Sequence, residues 1–304
     1  MSDPAWTCPV CGSRAAGPSR PYRCRTERWP ADTRVVACSA CGAATCDPMP
    51  DDRWLAGYYA GGSYASSHPD MSGHGASPLS LGRARAAAQA GLVARRLGHP
   101  PRSWLDVGAG FGFLLDEAAA LGARTAGVEP GPDRRAALEG RRHEVVADVA
   151  DAGDGWEVVS ISHVLEHVPD PSVLLAELWR ALAPGGLLLC EVPNDMPAEH
   201  ALRPGGVDEP HVAFYSWGSL ERVLERAGFA DVRVGGAGRR QVVRPLERVR
   251  LRTTRVLAGR AVPVPAGVGR RLHHAFDVGG PERIWLRATA RRPPADGPTP
   301  GGGR

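Results

Sequence analysis

Between Trp104 and Leu115 the chain reads Trp-Leu-Asp-Val-Gly-Ala-Gly-Phe-Gly-Phe-Leu-Leu: an apolar strand, a loop with glycine at every second position, and a helix starting near Phe113. Glycines at 108, 110 and 112 remove side chains where a backbone must turn tightly, approach a ligand closely and let a new helix pack on its strand. The exposed N–H groups and the positive helix end then favour a carboxylate or a phosphate. A Gly-x-Gly-x-Gly turn also serves merely to reverse a chain, so its meaning depends on the elements downstream of it.

Those elements alternate. Helix 113–121, strand Thr125–Val128, helix 133–140, strand Glu144–Ala147, strand Glu157–Ser162, helix 171–182 and strand Leu187–Val192 succeed one another. Apolar strands alternating with helices predict an α/β fold, a Rossmann-like doubly wound parallel sheet covered on both faces. Ligands in such sheets bind at the carboxyl ends of the strands. Three acids fall there: Asp106 in the first turn, Glu129 closing the second strand and Asp148 closing the third. The second-strand acid is placed to accept hydrogen bonds from both ribose hydroxyls, and the third can meet an adenine amino group.

The glycines are spaced two and two rather than two and three, and nothing suggests a nicotinamide site. Four segments instead resemble class I S-adenosylmethionine-dependent methyltransferases: Leu105–Gly112, the Gly127-Val128-Glu129-Pro130 acid, His163-Val164-Leu165-Glu166-His167-Val168-Pro169-Asp170-Pro171, and Leu182-Ala183-Pro184-Gly185-Gly186. The resemblance covers roughly residues 80–290. It implies that Asp106, Gly108, Ala109, Gly110 and Phe111 face the methionine part of the cofactor, Glu129 and Pro130 the ribose, and Asp148 with Val149 the adenine. It also implies a seven-stranded sheet, with Val232–Val234 as the sixth strand and Arg283–Ala290 as an antiparallel seventh. The third segment is similar to ubiquinone-biosynthesis O-methyltransferases and their small-molecule relatives.

Methyl transfer needs an aligned acceptor, exclusion of water and, for a hydroxyl, removal of a proton. His163, Glu166 and His167 follow the fourth strand, and a one-turn spacing puts them on one face. Three readings stand open: His167 as general base with a suitable pKa range, a divalent-metal site, or bracing of the loop before Pro169. In the ubiquinone-pathway relatives the matching cluster is Glu-x-x-Glu-His and is associated with a metal. His163 at the first position disfavours Mg²⁺, which prefers oxygen, and leaves a transition metal open. His211, in the loop between Pro193 and Ser216 that also carries His200, Phe214 and Tyr215, is a second candidate base.

Upstream, Cys8-Pro-Val-Cys11-Gly and Cys38-Ser-Ala-Cys41-Gly are matched knuckles separated by 26 residues. This pattern predicts a small N-terminal zinc ribbon over 1–50, with Cys8, Cys11, Cys38 and Cys41 holding a structural Zn²⁺ that has no open position. Cys24, Cys46 and Cys190 read as ordinary thiols. Residues 51–78, with Tyr58, Tyr59 and Tyr64, read as a linker or a lid over the cleft.

All 37 basic residues are arginine, a bias typical of GC-rich coding, so only their distribution is informative. Net charge is 0 over residues 1–78, −6 over 79–239 and +10 over 240–304. The basic stretch falls in an insertion, 237–280, within a methyltransferase domain spanning 79–290; it suits a solvated cap or an anionic acceptor. Residues 291–304, rich in Pro and Gly, predict a disordered tail. No apolar run reaches the roughly 18 residues of a membrane span, the start does not read as a signal peptide, and a cytoplasmic protein is expected.

The leading expectation is therefore O-methylation of a small-molecule acceptor, such as a natural product, sugar or glycan precursor. A zinc ribbon before this core also resembles the C-methyltransferases of antibiotic deoxysugar pathways, so C-methylation of a nucleotide-linked deoxysugar is an alternative. Some ribosomal RNA methyltransferases carry a zinc module too. A ribbon with four cysteines, in a segment (1–78) that carries no net charge, argues against nucleic acid as the partner. A non-catalytic partner-binding protein on the same fold is the remaining alternative.

Overall fold

The computed structural model describes residues 6–22, 32–51, 53–55, 57, 81–194, 211–237 and 285–295. The tyrosines at 58, 59 and 64, His200, the arginines of the insertion and the end of the tail lie outside the described residues.

Seven strands form the central sheet: β4 (Ser103–Val107), β5 (Arg124–Val128), β6 (Glu144–Val146), β7 (Trp156–Ser162), β8 (Leu182–Pro193), β10 (Ala230–Ala237) and β11 (Trp285–Arg291). Their spatial order is β10-β11-β8-β7-β4-β5-β6. Strands β4 to β8 pair in parallel, and β11 runs antiparallel to both of its neighbours. This is the expected Rossmann-like seven-stranded sheet. β8 begins five residues earlier than its apolar run suggests, because its first residues pair with β7 across an irregular register. β11 runs through Arg291, and Arg292 donates its N–H to Gly186 and stacks on Trp179, so ordered chain continues past the expected boundary at 290.

Alternation along each strand decides which helix it meets. Trp104, Val158, Leu187 and Leu189 face α1 (Leu81–Leu97) and α2 (Phe113–Ala120), whose Ala86, Ala90, Val93, Leu114 and Ala118 complete that layer. Leu105, Val159, Ile161, Leu188 and Val192 face the opposite layer, built on α4 (Pro171–Ala181) and α5 (Trp217–Arg226). The short helix α3 (Pro132–Glu139) supplies Leu138, buried against Ala109 and Leu115. Local chemistry sets the helix starts. Asp170 accepts the N–H of Ser172 ahead of α4 with Pro171 at its first position, and Ser216 opens α5 through a capping box with Ser219.

The N-terminal residues form β1 (Ala16–Pro21), β2 (Arg34–Cys38) and β3 (Ala44–Asp47), an antiparallel meander. Its fourth strand comes from elsewhere. β9 (Ala213–Phe214), from the loop after β8, pairs with β3 through Ala44–Phe214 and Thr45–Ala213. Cys8, Val10, Cys38 and Ala43 share one core with Tyr215, Leu220 and Leu224. The cysteine module is thus continuous with the large domain.

Candidate active site

The three glycines of the first turn all have positive φ, and each avoids something different. A Cβ on Gly108 would lie 2.5 Å from Val164, and one on Gly112 would lie 2.5 Å from Leu138 of α3. A Cβ on Gly110 would meet only the Gly108 carbonyl, at 3.9 Å. The outer two glycines therefore permit packing, while the middle one keeps the backbone open toward the cleft. The loop is tied down at both ends: the Gly108 N–H donates to the Val128 carbonyl, and Arg141 donates to both the Phe111 carbonyl and Asp116 of α2.

Glu129 is buried, and its carboxylate accepts the N–H of Gly110 and the N–H of Gly131, each at 3.0 Å. Each oxygen retains a lone-pair direction for a further donor. Asp148 is exposed and Val149 buried, both in the turn after β6. Asp106 is buried beneath the loop and accepts the Ser160 hydroxyl at 2.5 Å, which in turn accepts the Trp104 indole N–H at 2.7 Å. Burial pushes the Asp106 carboxyl up to about 7, against the pull of the Ser160 hydrogen bond and the Arg85 charge.

Beyond β7 the chain does not present one helical face. His163 takes a left-handed backbone (φ 57°), and Leu165–His167 form a single 3₁₀ turn. The side chains converge instead on the Glu166 carboxylate. His163 Nδ1 lies 3.3 Å and His167 Nε2 3.9 Å from its Oε1. His211 packs edge-on against His167 with ring centroids 4.9 Å apart. Ligand atoms of Glu166, His167 and His211 all lie within 4.8 Å of one another. Burial pushes the Glu166 carboxyl up, but the close approach of His163 and the charges of His167 and His211 hold it below the usual carboxylate range.

On the far side of His163 stands a group that none of the sequence motifs contains. Glu191, fully buried in β8, accepts from Arg287 of β11, lies 3.7 Å from Arg85 of α1 and has Oε1 3.8 Å from His163 Nε2. Burial raises its carboxyl, and the Arg287, Arg85 and His163 charges outweigh that and hold it low. Trp285 packs edge-on to His163 beneath the Arg85 guanidinium. A charged residue inside the apolar run Leu187–Val192 was the signal available for this cluster.

The four knuckle cysteines converge as expected, with Cys8 and Cys41 sulfurs 3.8 Å apart and those of Cys11 and Cys38 3.5 Å apart. Tetrahedral ligation with Zn–S near 2.3 Å requires sulfurs about 3.8 Å apart, so the cage fits zinc. The Cys8 thiol is held below its ordinary range, chiefly by its hydrogen bond with Cys41.

Comparison with known proteins assigns the core. A family described as a methyltransferase domain matches residues 81–234, half of the chain. The chain belongs to this family. Its class I S-adenosylmethionine-dependent methyltransferase domain is similar to the ubiquinone biosynthesis O-methyltransferase of Xanthomonas oryzae, 33% identical over 115 residues, covering 34% of this chain and 48% of that protein. The Azorhizobium caulinodans enzyme of the same name is 28% identical over 153 residues, covering 44% and 58%. The chain thus spans about half the length of the curated relatives it matches. Among solved structures, the Burkholderia thailandensis 1,6-didemethyltoxoflavin-N1-methyltransferase with bound 1,6-didemethyltoxoflavin and S-adenosylhomocysteine superposes with a TM-score of 0.51 at 19% identity. It covers 88% of this chain and 98% of that one, which supports the methyltransferase-domain fold. Among the described residues, no helix is long and apolar enough to cross a membrane.

Proposed function

We propose that the protein methylates an oxygen of a small-molecule acceptor in the cytoplasm, with His167 and His211 managing the acceptor proton. The observation that carries this reading is the His167–His211 pair, edge-on with ring centroids 4.9 Å apart, beside a buried carboxylate at the carboxyl edge of the sheet. S-adenosylmethionine, when bound, supplies a methyl group already activated on a sulfonium. Gly108, Ala109, Gly110 and Phe111 line the methionine side in this assignment. Glu129, next to Pro130, receives the ribose hydroxyls, and Asp148 with Val149 meets the adenine. The open space above Gly110 and the spare lone pairs of Glu129 support that fit. Glu166 orients His167 and favours its charged form after it takes a proton, and His163 extends the array toward Glu191. Cys8, Cys11, Cys38 and Cys41 hold a structural Zn²⁺, leaving the chemistry to the histidines.

The test separates binding from turnover. His167→Ala and His211→Ala are each expected to lower kcat by roughly 100-fold or more, the usual contribution of a general base, with S-adenosylhomocysteine affinity retained. Unchanged kcat in both variants refutes the base assignment.

A second reading is favoured by the convergence of Glu166, His167 and His211 within 4.8 Å. Two imidazoles and one carboxylate suit a transition metal better than Mg²⁺. Metal analysis that finds a second ion per chain, lost in His167→Ala while the four-cysteine zinc is retained, supports it; full turnover with a single ion per chain removes it.

A further inference from the structure

Val212 joins two parts of the molecule through its own backbone. Its N–H donates to the Glu166 carbonyl at 2.8 Å, and its carbonyl accepts the N–H of Cys46 in β3 at 2.9 Å. The carbonyl of the preceding residue, His211, accepts the Cys46 thiol at 3.7 Å. One peptide therefore links the cysteine module on one side to the Glu166–His167 turn on the other, with His211 attached to it. We propose that the four-cysteine centre is the strut that positions His211 against His167, so that metal loss disables methyl transfer while leaving the cofactor half of the sheet intact.

The next contacts point the same way. β9 is two residues long, and β3 is its neighbour in the four-stranded sheet. A two-residue strand has no stability of its own and takes its position from the strand it joins. β2 in turn ends at Cys38, whose N–H donates to the Ala43 carbonyl just before β3, so an ion held by the four cysteines would add folding free energy at the base of this sheet. The knuckles also reach the start of α5, the element that follows β9. Arg222 donates to the Ala40 carbonyl at 2.6 Å, and a Cβ on Gly42 would come 3.2 Å from the Ser216 hydroxyl that caps the helix. Tyr215, between β9 and that cap, is buried in the same core as Cys8 and Cys38 and reaches the Leu165 carbonyl at 3.5 Å. The glycine loop is held by other means, through Val128, Glu129 and Arg141.

This inference rests on the proposed role of His211 and His167, and its test has an arm that does not depend on that role. In the full-length, zinc-loaded protein, Cys41→Ser removes one ligand without touching an ion at Glu166, His167 and His211, as a chelator would. Three quantities are followed: amide hydrogen exchange at Val212–Phe214, calorimetric affinity for S-adenosylhomocysteine, and kcat. The expected result is loss of zinc, exchange at these amides faster by roughly 100-fold as local opening becomes easier, affinity within twofold of wild type, and kcat reduced at least tenfold. Unchanged exchange overturns the proposal. So does cofactor affinity that falls in parallel with kcat, since the module is then a general stability element. If Cys41→Ser does not fold, Arg222→Ala keeps all four ligands while cutting one knuckle contact. It should raise exchange at 212–214 and lower kcat at full zinc occupancy, and wild-type exchange in this variant also overturns the proposal. If His211→Ala and His167→Ala retain turnover, the base assignment fails while the exchange result still decides whether the strut exists.

Discussion

Replacing Glu129 with Gln keeps size and shape while changing one oxygen into an NH₂ group. In the native chain both carboxylate oxygens are used, one by the Gly110 N–H and one by the Gly131 N–H, each at 3.0 Å, in a site only 3% exposed. The amide offers one acceptor, so one of these backbone donors must face another donor. Leaving a buried donor unsatisfied costs about 1–3 kcal/mol, which for a domain of this size lowers the melting temperature by roughly 2–12 °C. Cofactor binding suffers separately. Hydrogen bonds to a charged group are worth about 1 kcal/mol more than those to a neutral one, so two ribose hydroxyls lose about 2 kcal/mol together. That corresponds to roughly 30-fold in affinity. Calorimetric titration with S-adenosylhomocysteine reads the second effect, and scanning calorimetry of the ligand-free protein reads the first. Affinity within twofold of wild type refutes the ribose assignment; if melting falls nonetheless, Glu129 is a brace for the glycine loop and nothing more.

Asp106, with its carboxyl raised to about 7 by burial, favours the protonated folded state. Its contribution to stability is present in full below the ordinary carboxylate range and is lost as pH rises toward about 7, while an ionised Asp106 is the better partner for the cofactor's ammonium. Cofactor affinity should therefore rise with pH up to about 7 and level off, and Asp106→Asn should flatten the profile; titration calorimetry across this range decides it. Gly108→Ala places a methyl group 2.5 Å from Val164 on a backbone with φ 74°. The expected loss is about 2–4 kcal/mol from strain and overpacking, measurable by urea unfolding, and a value under about 0.5 kcal/mol would count against it. Ser160→Ala breaks the Trp104–Ser160–Asp106 chain and should move the inflection of the affinity profile to higher pH, because the hydrogen bond that lowers the Asp106 carboxyl is removed.

The main sheet could be read from the chain because its signals are local. Apolar strands followed by helices, a glycine turn and acids at strand ends each lie within a few residues. The cysteine cage was equally readable, since two matched pairs at knuckle spacing carry their own geometry. β9 could not be read in this way: two residues, Ala213 and Phe214, give no periodicity, and their partner strand lies more than 160 residues away. The placement of His163 was hidden for another reason. Its left-handed backbone has no side-chain signature, so helical spacing misdescribed how it meets Glu166. Glu191 and Arg287 compensate each other across two strands, and each alone looks like an intruder in an apolar run.

Ala237 and Trp285 are partners across the β10–β11 ladder, and β11 begins opposite Pro193 at the carboxyl edge of the sheet. Whatever chain joins them leaves and returns at neighbouring positions on the rim of the cleft. The closure entropy of such a segment grows only by about 0.6 kcal/mol for each doubling of its length. This rim is therefore a place where descent can lengthen, shorten or replace sequence at little thermodynamic expense, while the sheet itself stays as it is.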